Sequence, residues 1–94
     1  MNTDRIMNLL GQLQADPDAG ASWDALTEVL TAPSASLPEA EILAALERAS
    51  EGHRGRGEYA AVARLLELGL GIATDGGVRS LALRSLAAVL RDHL

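Results

Sequence analysis

The chain has 94 residues, a formal net charge of −5, no Cys, no Phe, no Lys, one Trp and one Tyr. The lack of Cys excludes disulfides and thiolate metal sites, and the acidic balance excludes a basic nucleic-acid footprint. A core must be built largely from Leu and Ala, 17 of each, which are the strongest helix formers and point to an all-α chain.

Five amphipathic segments follow in order, at about residues 3–14, 22–32, 37–53, 58–70 and 76–92. In the first, Ile6, Leu9, Leu10 and Leu13 recur at i, i+3, i+4 and i+7. Pro17 disfavours helical geometry at Asp16, and Gly20 permits a turn. The second segment begins near Ser22, expected as its N-cap, and buries Trp23, Leu26, Val29 and Leu30. The third opens on Ser36-Leu-Pro-Glu39, a capping-box spacing in which Glu39 reaches back to the first turn. Its apolar stripe is Ile42, Leu43, Leu46 and Ala49.

The stretch Glu51-Gly-His-Arg-Gly-Arg-Gly-Glu-Tyr59 joins the third and fourth segments. Functional RG tracts are long, repetitive and set in disorder; this one has two arginines between patterned helices, so a helix-to-helix turn is expected. Gly55 or Gly57 supplies a positive φ, Arg54 and Arg56 face solvent, and Tyr59 is largely buried. The fourth segment adds Val62, Leu65, Leu66 and Leu70. Thr74 or Asp75 caps the fifth, which carries Val78, Leu81, Ala82, Leu83, Leu86, Val89 and Leu90 on more than one face. That helix is either central, or one of its faces docks on a partner or on further chain.

Chemical sites are sparsely signalled. His53 and His93 lie forty residues apart, and neither has a second His at i+3 or i+4, as local chelation needs. Asp16 and Asp18 suggest the start of a calcium loop, but the obligatory glycine falls on Ala21 and the bidentate acid on Thr27. The glycines at 69, 71, 76 and 77 follow no strand. No nucleophile stands at a spacing that pairs it with a base. No cofactor and no metal are expected.

Trp23 is either a core anchor or a contact for a partner. With Leu83, Leu86, Leu90 and Leu94 it makes up the candidate partner-binding set. The chain is lopsided in charge: residues 1–50 carry two Arg against eight acids, and residues 51–94 six Arg against five. The acidic half repels phosphate and anionic lipid, so neither nucleic acid nor membrane is an expected partner. No apolar run reaches the ~18 residues of a membrane span, and the first residues lack the apolar core of a signal peptide. A cytoplasmic protein is expected.

Gly57-Glu58-Tyr59 resembles the start of the second helix of tetratricopeptide-type repeats, units of two antiparallel helices of about 34 residues. Continuing that match, Val62, Leu66 and Gly69 take small, large and small packing positions, with Leu46, Ala49 and Ser50 in the preceding helix. His53 stands where an aromatic is usual, and Thr74-Asp75 replaces the closing Pro. The stretch from Glu51 to Leu94 is also similar to Ala/Arg/Leu-rich helical repeats of large bacterial proteins. Asp16-Pro17 with Trp23 and Leu26 resembles a repeat boundary in the opposite register, so two registers stay open. The resemblance implies a non-enzymatic interaction scaffold, working through a protein partner or by self-association through the C-terminal helix. The alternative is a closed five-helix bundle acting as an adaptor for bacterial signalling or defence effectors.

Overall fold

The Leu/Ala-rich segments form five helices in the computed structural model, which describes residues 2–31 and 38–94. They are α1 (Asn2–Ala15), α2 (Gly20–Thr31), α3 (Glu39–Gly55), α4 (Tyr59–Ile72) and α5 (Gly76–His93). No strand occurs among the described residues. Ser36 and Leu37 of the expected capping box lie outside them.

α1 and α2 form one antiparallel hairpin, and α3 and α4 a second. The two hairpins stack with α1 beside α3 and α2 beside α4, while the backbone of α5 lies beside that of α4 alone among the described helices. The Cα radius of gyration is 12.5 Å, with extents of 36 × 32 × 17 Å, so the helices form a broad, shallow slab.

Its main core joins the two hairpins. Ile6, Leu9, Leu10 and Leu13 of α1 meet Trp23, Leu26 and Leu30 of α2, with Ile42, Ala45, Leu46 and Ala49 of α3 and Ala61 and Leu65 of α4. The alanines let α3 and α4 approach closely, and a Cβ placed on Gly69 would stand 3.6 Å from the Leu43 side chain. A smaller cluster of Val62, Ala63 and Val89, flanked by Tyr59, Leu66 and Leu86, attaches α5. Burial of these few side chains is what holds the fifth helix down.

Local signals set most of the turns. The Asp75 side chain accepts the Val78 amide at 2.9 Å and caps α5, as a short polar side chain at an N-cap does. At the end of α3 the Glu58 amide bonds to the His53 carbonyl and the Gly57 amide to that of Arg54. This is a Schellman closure with Gly57 in the left-handed position, at φ 74°, where glycine alone is free of a Cβ penalty.

One expected cap differs. Ser22 sits inside the first turn of α2, because that helix already starts at Gly20, and its hydroxyl bonds to the Gln12 side chain of α1 at 3.0 Å. The Glu39 carboxylate accepts the Thr74 amide (2.7 Å) and hydroxyl (3.1 Å), tying the start of α3 to the α4–α5 turn. Glu58, the N-cap of α4, makes no side-chain cap, because its carboxylate is engaged by His53 and Arg56.

Candidate functional site

Two arrangements stand out on this frame: a polar latch at the α3–α4 turn, and the free sides of α5. The latch starts from His53, which is fully buried. Its Nδ1 donates to Glu58 Oε1 at 2.7 Å, and Arg56 Nε donates to the same oxygen at 3.1 Å. The Arg56 guanidinium also reaches the Gln14 side-chain oxygen (2.6 Å), while Gln14 Nε2 donates to the Ala49 carbonyl (2.8 Å). The end of α1 is thus fastened to α3 and to the turn that follows it. Arg54, expected to face solvent, is only half-exposed, with its Nε 3.5 Å from Glu51. Tyr59 is half-buried rather than buried, since its ring lies under His93 at the end of α5, with centroids 3.6 Å apart and planes 3° from parallel. The two histidines are therefore used in packing and hydrogen bonding. Among the described residues no cluster of three or more His, Cys, Asp or Glu forms a metal-holding group.

The latch has a pH signature. The hydrogen bond from His53 holds the Glu58 carboxyl below the ordinary glutamate value, opposed by partial burial and reinforced by Arg56. A depressed folded value means the carboxylate stabilises the fold above the ordinary glutamate pKa of about 4.3, and that the contribution is lost as pH falls through the folded value. Glu58→Gln is therefore expected to lower the urea midpoint near neutral pH. Its midpoint should converge on that of the parent chain as the pH is taken down through the depressed folded value. Midpoints measured across this range check it, and a pH-independent difference would contradict the role of the carboxylate.

α5 is different in kind. Its inner side, Leu86 and Val89, packs on α4, and Val89 is the helix's one buried residue. Arg79 donates to the Leu70 carbonyl and, at 3.1 Å, to that of Ala73, placing a cation on the negative end of the α4 dipole. On the outer side, Leu83 (52% exposed), Leu90 (48%) and Leu94 (62%) stand in solvent, with exposed Ala87 between them. These four positions recur at intervals of four, three and four, so they share one line along the helix. Of the six large hydrophobic side chains exposed among the described residues, five belong to α5 or follow it directly; the sixth is Met7.

A third side of α5 faces α3 across α4. Between them runs an apolar cleft of about 190 Å³, walled by Leu43 and Leu46 of α3 and by Val78 and Leu81 of α5, with Leu66 and Gly69 of α4 beneath. Glu47, Glu51 and Arg54 stand at its α3 rim. Leu81, 64% exposed, belongs to this side and not to the outer line.

The candidate partner-binding residues therefore separate. Leu83, Leu90 and Leu94 lie together on the outer line, and Leu86 is turned inward against α4. Trp23 is distant from them in role: it is 1% exposed, its Nε1 donates to the Pro17 carbonyl at 2.8 Å, and Arg64 of α4 lies 4.6 Å above its ring. Trp23 is therefore a core anchor and not an exposed partner contact, because its indole is enclosed by the two hairpins. Sequence reasoning missed Ala87, whose small side chain gives no apolar signal alone, although its spacing from Leu83 and Leu90 carries one. No helix among the described residues is long and apolar enough to cross a membrane. Comparison with protein-family models, curated proteins and solved structures finds no match for this chain.

Proposed function

We propose that this chain is a non-enzymatic protein-interaction module of the helical-hairpin repeat type, with the outer line of α5 as its docking face. The observation that carries the reading is the exposed series Leu83, Ala87, Leu90 and Leu94 on a helix anchored to the body by one neighbour. Leucines that recur along one helix edge without being covered are the pattern of a helix waiting for a second apolar surface. The stacking of first helix on first and second on second supports the repeat-type assignment, since hairpin arrays grow in that way. The supporting scaffold is rigid where it needs to be: Asp75 fixes the start of α5, and the Tyr59–His93 stack fixes its end.

The test is retention of protein partners on the immobilised chain, compared across three baits. The parent chain and Glu28→Gln, a change at an exposed site on α2, are expected to retain the same protein. The double variant Leu83→Gln/Leu90→Gln is expected to lose it while keeping its circular dichroism. Equal retention by all three baits would remove α5 as the docking face. Sedimentation of the same chains tests the self-association version, in which the parent and Glu28→Gln, but not the double variant, would form the larger species.

A further inference from the structure

We propose that the occupant of the outer α5 line is an acidic amphipathic helix of a different protein, rather than a second copy of this chain. This rests on the docking face described above and concerns what that face selects. The spacing of Leu83, Ala87, Leu90 and Leu94 is that of the apolar seam of a helical pair, so the matching surface is another helix laid alongside.

The charge along the edges of the line has one sign. Arg84 and Arg91 each follow a seam leucine directly and are exposed; on the other edge Arg79 is bonded to the Leu70 and Ala73 carbonyls, Leu86 packs on α4 and His93 stacks on Tyr59. Among the described residues Arg84 has no carboxylate within ion-pair distance. Arg91 is paired with Asp92 at 3.0 Å, but both side chains are largely solvent-exposed, and such pairs are weak competitors for a new partner. Asp92 is the only acid on α5, and by helical periodicity it lies on the side away from the seam. Positions beside a seam decide which helices pair.

A second copy fits this face poorly. Pairing α5 with α5 in the antiparallel arrangement sets Arg84 and Arg91 against their counterparts, and Asp92, the one acid on the helix, lies away from the contact. Outside α5 the one large exposed hydrophobic among the described residues is Met7, and the other apolar surface is the cleft walled by Leu43, Leu46, Val78 and Leu81. A partner helix with Glu or Asp beside its apolar stripe meets Arg84 and Arg91 with opposite charge and gains in both encounter rate and specificity.

The experiment uses two fluorescent amphipathic peptides of three heptads with identical apolar stripes, one flanked by Glu and the other by Lys. They are titrated with the full chain and followed by anisotropy. The Glu-flanked peptide is expected to bind at least about tenfold more tightly, a difference of about 1.4 kcal/mol, and the gap should narrow with added salt. In the variant Arg84→Glu/Arg91→Glu the preference should reverse. Leu83→Gln/Leu90→Gln should bind neither peptide. Equal binding of both peptides by the parent chain would overturn the acidic partner while leaving apolar docking in place. Binding of neither, with the parent chain self-associating through Leu83 and Leu90 in sedimentation, would overturn it in favour of a second copy. Binding of neither by a chain that stays monomeric would overturn both this proposal and the docking face on which it rests.

Discussion

Replacing Trp23 by alanine is expected to cost about 3–5 kcal/mol of folding stability, the usual range for truncating a buried aromatic. A chain of this length has a total of about 5–15 kcal/mol to lose, toward the lower end for a small core without disulfides. Trp23 is 1% exposed and is the only aromatic in the main core. Three elements meet at it: its own helix α2, the α1–α2 turn through the bond to the Pro17 carbonyl, and α4 through the Arg64 guanidinium above the ring. Alanine removes the apolar area, leaves the Pro17 carbonyl without its donor and takes away the surface on which Arg64 rests. Urea unfolding followed by circular dichroism gives the number, since the variant has no tryptophan to report by fluorescence. A loss below about 1 kcal/mol would mean that the hairpins hold together without their aromatic anchor.

Two leucines of similar local pattern are expected to behave oppositely. Leu65→Ala in α4 should cost about 2–5 kcal/mol, because Leu65 is 1% exposed and sits where α4 meets both hairpins. Leu83→Ala in α5 should change stability by no more than about 0.5 kcal/mol, because Leu83 is 52% exposed and belongs to neither buried cluster. The same urea titration measures both. If Leu83→Ala cost as much as Leu65→Ala, the outer line of α5 would be part of the core rather than a surface held for a partner.

The features legible in the sequence are those that depend on near neighbours along the chain. Apolar spacing marks five helices, Pro17 with Gly20 marks the first turn, Gly57 supplies the left-handed residue, and Asp75 caps α5. Features set across the fold were not legible. The Glu39 carboxylate takes Thr74, thirty-five residues later, as a partner that no local spacing announces. Tyr59 looked like a core residue of the α3–α4 hairpin, yet its ring is shared with His93, thirty-four residues later. The excess of apolar residues in α5 was visible, but periodicity alone could not sort it. Packing on α4 turns Leu86 inward, leaves Leu81 over the cleft and sets Leu83, Leu90 and Leu94 outward. For Trp23, type and position allow a core or an interface, and enclosure by both hairpins decides for the core.

The central claim is that the outer line of α5 is where this chain meets a protein partner. Amide hydrogen exchange of the chain, with and without the protein it retains, tests this most directly. Protection is expected to rise along residues 80–94, while amides of α1 and α2 exchange as before. A gain confined to α1 and α2, with α5 unchanged, would contradict it.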